Sequence, residues 1–375
     1  MKLLHLFSDW KWTGPADPVV SLCEHLAALG VDVSLAFRQA PSDFKERAVG
    51  KEAAKRGVPT CGSLRLNRYF SFRDWLYDVR AIHRYAVRTG VDIVHSHLTH
   101  DHSLAMLSLF GRRTRPILVR TDHKRDGLEA NFSMGRLLAR TDGLVTYSKR
   151  IMDLDVAHHL YPIERCAVLP PGVKVYDGPV QDLKEELGVK PDERVIGVIG
   201  RLKPDRGYDV ILNGFKLLRE RVDRVKLVIV GRSSQIEESI KKPLAELGLE
   251  RDVILAGYRL DDYFSMISTF DLFVMMRAGS DGTARALREV MAMGRPAIVS
   301  DRGMLPDLVE EGKDGFVVNN AQELASRMEQ ILVSDELRLK LGEAARIKAR
   351  QKWDYAAQAA QLVEFYERLL TMGKR

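Results

Sequence analysis

Short runs of apolar residues alternate along the chain with longer stretches in which apolar residues recur every three or four positions. The short runs have the length of strands, and the longer stretches have the periodicity of amphipathic helices. Strands are predicted at residues 2–7, 31–37, 91–97, 115–121, 143–148, 166–170, 194–200, 225–231, 252–258, 271–276 and 295–301. Helices are predicted at residues 17–30, 73–90, 207–222, 234–248, 260–270, 283–294 and 352–370. This alternation predicts parallel sheets built from right-handed βαβ units.

The alternating pattern is interrupted by a segment with several Pro and Gly residues, at positions 170–192, and then restarts. A chain of 375 residues is also longer than a single ordinary core supports. We therefore expect an α/β protein with two doubly wound domains facing a central cleft. The N-terminal domain is predicted over residues 1–172 and the C-terminal domain over residues 173–350. Residues 351–375 are expected to form a C-terminal helix, for which packing back onto the N-terminal domain is one arrangement.

The composition excludes several classes of protein. The hydrophobic fraction of 45% and the charged fraction of 29% are typical of a globular protein. No apolar run approaches the roughly 18 residues of a membrane span. The three cysteines match no disulfide framework or zinc spacing, which indicates a reducing compartment. We expect a cytoplasmic location, with peripheral attachment to the inner face of the cell membrane as an extension.

The net charge of +7 is unevenly distributed. Residues 1–175 carry 26 Lys and Arg against 18 Asp and Glu, a net charge of +8, whereas the rest of the chain carries 32 against 33, a net charge of −1. A basic half of this kind favours an anionic partner. Nucleic acid is disfavoured as that partner because the chain contains no nucleic-acid recognition motif.

A basic loop follows the first predicted strand of the second half, in the sequence VIGRLKPDRG. It carries Arg201, Lys203 and Arg206 at the carboxyl end of a parallel strand, where doubly wound sheets bind their ligands. Arg and Lys suit phosphate oxygens, although a solvated basic loop is an equally good explanation of these residues taken alone. The GxGxxG and GxxxxGK[ST] motifs are absent, so a dinucleotide enzyme or a P-loop NTPase lacks support.

A loop of small residues precedes the helix predicted at 283–294, in the sequence GSDGTARALREVMAMGRP. Such a loop exposes backbone N–H groups at a helix N-terminus, which favours an anion such as a phosphate. Two acids eight positions apart, Asp281 and Glu289, accompany it. The simpler explanation is a capped helix with Glu289 exposed. Together with the basic loop, the segment suggests a site for a nucleoside diphosphate-sugar.

Histidines are concentrated in the sequence HSHLTHDH, which contains His95, His97, His100 and His102. His95 and His97 have strand spacing and could share a face, so a metal site is one hypothesis. No dense set of Cys, Asp or Glu completes it, and polar lining of the cleft is the default interpretation. His123, just after another predicted strand, is either a cleft residue or a surface loop residue.

Arginines and aromatic residues are interleaved at positions 65–88. For the helical part, we expect an aromatic face in the core and the arginines outside. For the segment RLNRYFSFR ahead of it, we favour contact with an anionic acceptor or an anionic membrane surface.

Taken together, these motifs resemble the retaining glycosyltransferases of family 4, the group 1 glycosyltransferases with the GT-B fold. Each motif is weak alone, but their order and spacing are specific to this family. The resemblance covers almost the whole chain, through residues 1–17, 91–97, 168–173, 198–212, 227–231, 271–276 and 280–318. It implies two Rossmann-like domains.

The resemblance also implies roles for individual residues. Glu289 corresponds to the acid that holds the ribose hydroxyls, and Asp281 to the acid that contacts the donor sugar, where the family usually has Glu. Arg201 and Arg206 correspond to the basic residues that grip the diphosphate, with Arg206 in place of the usual Lys. The predicted catalytic residues are therefore Asp281, Arg201, Arg206 and His123. The predicted donor-binding residues are Gly14, Arg201, Lys203, Arg206, Gly282, Thr283 and Glu289.

The implied reaction is transfer of a hexosyl group from a nucleotide-sugar to an acceptor hydroxyl, with retained anomeric configuration and no metal or other cofactor. A UDP-sugar is the favoured donor, with GDP- and ADP-sugars as alternatives. The expected acceptor is an anionic or lipid-linked glycan in the synthesis of cell-surface polysaccharide, lipopolysaccharide or glycolipid.

Two alternatives stay open. A nucleotide-sugar epimerase or sugar-phosphate synthase with the same fold would need acid and base carboxylates, or a sugar-phosphate pocket, that the sequence does not reveal. A non-catalytic scaffold or partner protein with the same fold is supported by two departures from the family pattern, namely Asp281 and the Pro171 that stands in place of the usual Asn.

Overall fold

The computed structural model describes residues 1–44, 46–69, 71–111, 114–124, 126–277 and 284–374. It divides the chain into two compact units, one formed by Met1–Gly172 with Tyr355–Arg375 and the other by Val173–Asp354. The second unit thus extends past the predicted end at residue 350. Among the described residues, no helix is long and apolar enough to cross a membrane.

Each unit contains a parallel sheet, which has six strands among the described residues. The first sheet has the strand order β2-β1-β3-β4-β5-β6 and the second has the order β12-β11-β10-β7-β8-β9. The strands of the first sheet are β1 (Lys2–Phe7), β2 (Asp32–Phe37), β3 (Ile93–Ser96), β4 (Ile117–Thr121), β5 (Gly143–Thr146) and β6 (Cys166–Val168). The strands of the second sheet are β7 (Arg194–Ile199), β8 (Val225–Val230), β9 (Val253–Gly257), β10 (Leu272–Met275), β11 (Ala297–Ser300) and β12 (Gly315–Val318). The doubly wound α/β architecture is confirmed.

Helices cover the faces of both sheets. They are α1 (Ala16–Ala28), α2 (Val49–Lys55), α3 (Phe72–Thr89), α4 (Thr99–Leu109), α5 (Phe132–Leu138), α6 (Lys149–His159), α7 (Tyr208–Arg219), α8 (Lys242–Leu247), α9 (Tyr263–Thr269), α10 (Ala284–Ala292), α11 (Leu305–Leu308), α12 (Ala321–Leu332), α13 (Asp335–Lys352) and α14 (Tyr355–Met372). Short 3₁₀ turns are present at Ile163–Arg165 and Pro204–Arg206, and a π-helical turn at Glu237–Lys241 precedes α8.

The eleven predicted strands are all present, and β12 is a strand that the pattern analysis did not predict. The predicted helix at 234–248 is present, but it begins with the π-helical turn and continues as α8. Pro243 at the start of α8 has no N–H to donate to the preceding turn, which accounts for the irregular hydrogen bonding there.

The expectation for α3 is only half right. Its arginines lie on the outside, but Phe72 and Tyr77 are exposed as well. The buried residues of α3 are Asp78, Ala81, Ile82 and Ala86, while the partly buried Trp75 and Tyr85 pack against the same core. The helix starts at Ser71, whose side chain accepts a hydrogen bond from the backbone of Asp74, and it ends at a left-handed Gly90.

The last helix, α14, belongs to the first unit. Its buried side chains Leu362, Phe365, Tyr366 and Leu369 share a core with residues of β1 and α1. A Cβ atom on Gly143 at the start of β5 would lie 2.3 Å from the Leu369 side chain, so this helix packs directly on the sheet. The second unit has its own core, built around β7, β8 and β10 with α7 and α12.

Candidate functional site

A cavity of about 830 Å³ opens at the carboxyl edge of the second sheet, where β7 and β8 end. This volume falls within the usual range of small-ligand sites. The cavity is lined by Ile199, Gly200, Arg201, Lys203, Val230, Gly231, Arg232, Ser233, Ser234, Tyr258, Arg259, Tyr263, Arg285, Ala286 and Glu289. The carboxyl edge of a doubly wound sheet is the place where such folds bind ligands.

At the base of this cavity, Gly200 and Gly231 allow two backbone segments to approach each other closely. The loops after β7 and β8 approach so closely that a Cβ atom on Gly231 would lie 1.9 Å from the carbonyl oxygen of Gly200. Gly231 also has a φ of +154°, a conformation that side chains rarely adopt. Small residues at both strand ends therefore leave backbone groups accessible to a ligand.

Arg206 is a cation held largely out of solvent, because its side chain is only 16% exposed. Its Nε and Nη1 atoms are buried and make no hydrogen bond to any residue that the structure describes. The carboxylate of Asp205 lies 3.5 Å from Nε, too far for a strong hydrogen bond. A guanidinium with buried, unused N–H groups is costly unless an anion satisfies it. Arg206 lines a smaller cavity of about 30 Å³ together with Arg201 and Arg277.

Glu289 provides the buried negative charge of the cavity, with an exposure of 4%. The Tyr263 hydroxyl donates a hydrogen bond to Oε2 at 2.7 Å, and Arg285 Nε donates to Oε1 at 2.8 Å. Burial, followed by the nearby Glu289 carboxylate, raises the pKa of Tyr263 well above its usual value, so this phenol stays a donor. The two donors fix the carboxylate plane and leave its remaining lone pairs for hydroxyl groups of a ligand.

An aromatic platform lies on the wall of the same cavity. The Arg232 guanidinium stacks over the Tyr258 ring at 4.5 Å from its centroid. Both residues were missed by the sequence analysis, as were Tyr263 and Arg285. The sequence did contain a signal for Arg232. In VIVGRSS, the end of β8 is followed by a glycine and then a basic residue, the same order that is found at the end of β7.

The structure brings three of the predicted site residues together, since Arg201, Lys203 and Glu289 line one cavity. Arg206 adjoins it through Arg201. Gly14 and His123 lie in the first unit. Gly14 is in the turn before α1, where a Cβ atom would meet nothing within 4 Å. The predicted residues Asp281, Gly282 and Thr283 lie outside the described residues.

Three buried histidines of the first unit lie on or directly after its central strands β1 and β3. His95 and His97 pack with His5 of β1, which the sequence analysis did not include, and ring nitrogens of the three lie within 4.8 Å of one another. These rings are already engaged in hydrogen bonds, among them one of 3.0 Å between His5 Nδ1 and His97 Nε2. His102 lies apart and bonds Thr141.

His123 uses both ring nitrogens inside the first unit. Its Nε2 lies 3.1 Å from His97 Nδ1, and its Nδ1 lies 2.8 Å from the Tyr147 hydroxyl. Burial lowers the pKa of His123 to about 3, so the ring is neutral at neutral pH. A direct contact between this ring and a substrate would have to replace one of these bonds.

A pair of doubly wound units, with a cation-rich cavity at the carboxyl edge of the second sheet, is the arrangement of the GT-B class of glycosyltransferase folds. The family model for Glycosyltransferase Family 4 matches residues 14–176, and the model for Glycosyl transferases group 1 matches residues 179–348. The chain belongs to this family, the group 1 glycosyltransferases of family 4.

Curated relatives are similar over part of their length. Spore coat protein SA of Bacillus subtilis is 27% identical over 198 residues, which cover 50% of this chain and 52% of that protein. A D-inositol 3-phosphate glycosyltransferase of Corynebacterium urealyticum is 30% identical over 224 residues, which cover 56% of this chain and 52% of that protein. The chain thus aligns with about half the length of these relatives.

Solved structures are similar over nearly their whole length. A glycosyltransferase from Rickettsia africae superposes with a TM-score of 0.81 at 17% identity, covering 99% of each chain. The Anabaena protein HepE in complex with UDP superposes with a TM-score of 0.76 at 18% identity, covering 98% of this chain and 100% of that one. At these identities the likeness establishes the GT-B fold.

Proposed function

We propose that the protein is a retaining glycosyltransferase that moves a hexosyl group from a nucleoside diphosphate-sugar to an acceptor hydroxyl. The observation that carries this proposal is the buried Glu289 carboxylate in the same cavity as Arg201 and Lys203. A buried carboxylate can accept hydrogen bonds from both ribose hydroxyls, and neighbouring Arg and Lys side chains can bind the oxygens of a diphosphate. The UDP and UDP-glucose complexes of Anabaena HepE support a UDP-sugar as the donor.

In the proposed reaction, the acceptor oxygen forms a bond to the anomeric carbon as the bond from that carbon to the diphosphate oxygen breaks. The departing phosphate oxygen takes the proton of the acceptor hydroxyl. Arg201 and Arg206 stabilise the charge that develops on the diphosphate, and Lys203 adds a third cation near it. With this countercharge supplied by the chain itself, we propose that no metal or other cofactor is needed.

The proposed acceptor is an anionic or lipid-linked glycan, as in the synthesis of cell-surface polysaccharide, lipopolysaccharide or glycolipid. In support, α3 exposes Arg73, Arg80, Arg84 and Arg88 along one side. Tyr69 and Phe72 ahead of and at the start of the helix are 61% and 63% exposed. Exposed aromatic groups beside a basic stripe suit the interface of an anionic membrane, so we propose a cytoplasmic protein attached peripherally at the inner face of the cell membrane.

The donor site is tested by measuring the binding and turnover of UDP-, GDP- and ADP-sugars, with and without EDTA. For the wild type we expect one donor to bind, and its slow hydrolysis to be insensitive to EDTA. Glu289→Gln removes a charge-assisted bond to the ribose and should weaken binding by roughly 10- to 100-fold, the equivalent of about 1.5–3 kcal/mol. Glu246→Gln, on the exposed side of α8, is the matched control and should bind normally.

Each other outcome has a defined meaning. Normal binding by Glu289→Gln would refute this site, and loss of turnover in EDTA would refute metal independence. Conversion of the donor to an epimer would identify the epimerase alternative. If none of these donors binds, the non-catalytic scaffold becomes the favoured alternative.

A further inference from the structure

Seven side chains of the first unit form a continuous series of hydrogen bonds, which we call the histidine chain. It links the central strands of the first sheet to α14. Its members in order are Thr121, His95, Tyr366, His5, His97, His123 and Tyr147. Each of the four imidazoles uses both of its ring nitrogens.

The four imidazoles are neutral at neutral pH. Burial lowers the pKa of His5 to about 3, and it lowers the pKa of His95 and His97 well below the usual value. A neutral imidazole has one N–H donor and one bare nitrogen that accepts. In a bond between two imidazoles, a donating nitrogen on one ring therefore fixes the tautomer of the next. As a result, two arrangements satisfy every link and also use the hydroxyl hydrogen of Tyr366, and they run in opposite directions. A third arrangement, in which Tyr366 accepts from both His95 and His5, leaves that buried hydrogen without an acceptor in the series and is disfavoured.

The two bonds of Tyr366 indicate which direction is adopted. Its hydroxyl lies 2.5 Å from His95 Nδ1 and 3.3 Å from His5 Nε2. Hydrogen bonds donated by O–H are shorter than those donated by N–H. In one direction the O–H donors are Tyr366 toward His95 and Tyr147 toward His123, at 2.5 Å and 2.8 Å; in the other they are Thr121 toward His95 and Tyr366 toward His5, at 2.6 Å and 3.3 Å. The first direction gives the O–H donors the shorter pair of bonds, so we assign Tyr366 as the donor to His95 and the acceptor from His5 Nε2. In this direction all four rings are Nε2–H tautomers, Tyr147 donates to His123, and His95 donates to Thr121.

In this direction the histidine chain ends at the Thr121 hydroxyl. The hydrogen of that hydroxyl needs an acceptor. A cavity of about 10 Å³ lies beside it, lined in part by Thr121, Tyr147 and Gln358. Gln358 Oε1 is buried and accepts no hydrogen bond from any described residue, while its Nε2 donates to the carbonyl of Pro170. The cavity has about the size that one water molecule requires, and such a water would accept from Thr121 and donate to Gln358.

We propose that the histidine chain is a single two-state unit, in which Thr121 and Tyr366 are positioning residues that hold His123 as the Nε2–H tautomer through His95, His5 and His97. This inference is independent of the proposed transferase activity. It follows that a change at the Thr121 end of the histidine chain alters which nitrogen of His123 carries the proton at the other end. The intervening imidazole rings are those of His95 on β3, His5 on β1 and His97 directly after β3.

The test is ring-nitrogen NMR of the full chain labelled with ¹⁵N-histidine, which distinguishes Nε2–H from Nδ1–H for each ring. In the wild type, His5, His95, His97 and His123 should all be Nε2–H. Thr121→Val removes the acceptor of the His95 N–H, and a buried N–H without a partner is disfavoured. We expect all four rings to reverse to Nδ1–H, a tenfold or greater shift in the tautomer ratio. Thr121→Ser keeps the hydroxyl and should keep the wild-type tautomers.

Tyr366→Phe interrupts the histidine chain of hydrogen bonds at a second point and gives a different expected pattern of tautomers. His95 keeps Thr121 as its acceptor and should stay Nε2–H, while His5, His97 and His123 should reverse together. This variant also serves if Thr121→Val does not fold. The proposal is overturned by Nδ1–H rings in the wild type, by a tautomer change confined to the ring beside the substitution, or by zinc binding at His5, His95 and His97 on addition of the metal.

Discussion

At the scale of single residues, the candidate site contains two kinds of buried charged group. One kind has hydrogen-bond partners within the protein, and the other has none among the described residues. Glu289 is buried with two donors, whereas the buried N–H groups of Arg206 have no hydrogen-bond partner among the described residues. The first arrangement is a prepared acceptor, and the second is a cation that an anion would stabilise. Beside these residues, Gly200 and Gly231 allow the loops after β7 and β8 to come into backbone contact.

Gly231 tests the importance of that close approach. In Gly231→Ala, the new methyl group would meet the Gly200 carbonyl and the backbone would be strained, so we expect the free energy of unfolding to fall by about 3 kcal/mol. Gly248→Ala also forces a side chain into a left-handed conformation, but nothing lies within 4 Å of its Cβ. The cost of that control should be about 1 kcal/mol. Equal losses in urea denaturation would show that the contact between the two loops is unimportant.

At the scale of elements, α10 and its following turn are held in place by α13. The ideal Cβ of Gly342, in the middle of α13, would lie 2.3 Å from the carbonyl oxygen of Gly294. Gly294 lies in the turn after α10, the helix that carries Glu289. Backbone contact between the two elements therefore fixes the helix that presents the buried acid.

This contact reverses the usual effect of a helical glycine substitution. Glycine to alanine in a helix normally stabilises by about 0.5–1 kcal/mol, and we expect this for Gly135→Ala in α5, where the nearest atom to the new Cβ is 3.9 Å away. Gly342→Ala should instead destabilise by about 2 kcal/mol, because the methyl group would overlap the Gly294 backbone. Thermal and urea denaturation of both variants checks the sign. A stabilised Gly342→Ala would refute the packing of α13 described here.

At the scale of the whole molecule, the histidines are distributed unevenly, because all ten lie in the first unit. The buried histidines whose pKa is lowered by burial all lie in the first unit; they are His5, His95, His97, His102 and His123. Four carboxyl groups of the same unit have raised pKa values, with burial as the largest cause: Asp101 and Asp122 at about 7, Asp155 at about 6, and Asp78. The stability of this unit is therefore expected to depend on pH.

The two sets act with opposite sign. Below about pH 6.5 the unfolded chain binds protons on its histidines and the folded chain does not, so the free energy of unfolding falls as the pH falls. The carboxyl groups oppose this, since they are protonated in the folded state at a pH where the unfolded state is ionised. Five buried histidines, joined by the partly buried His100 and His159, act against four carboxyl groups, so we expect a net loss of stability between pH 7 and pH 5.

Urea denaturation at pH 7 and pH 5 measures this difference. Each histidine contributes at most about 1.4 kcal/mol per pH unit, so His102→Gln should reduce the pH dependence by up to that amount. An unfolding free energy that is unchanged or higher at pH 5 would mean that the carboxyl groups dominate.

The sequence by itself determined eleven of the strands, seven of the helices and their order, whereas β12 and helices such as α4 and α12 were not predicted. Apolar runs fix buried parallel strands such as β8 because a strand covered on both faces needs no polar residue, and Gly90 fixes the end of α3 because few other residues adopt its left-handed conformation. The basic loop with Arg201 after a predicted strand, and the loop of small residues before the helix that carries Glu289, indicated the candidate site, because strand ends and helix starts are local features of the chain.

The tertiary structure decided which side chains meet. Nothing in the local pattern of β1 shows that His5 packs with His95, because the two residues lie on adjacent strands that are far apart in sequence. The same is true of Tyr263, which holds Glu289 from α9, and of Tyr366, which reaches the sheet from the last helix. Arg285 differs, because it lies four positions before Glu289 on α10 and this pairing is a local feature of the helix. Hydrogen bonds and burial depend on distances in space, and the packing of helices on a sheet sets those distances only once the whole unit has folded.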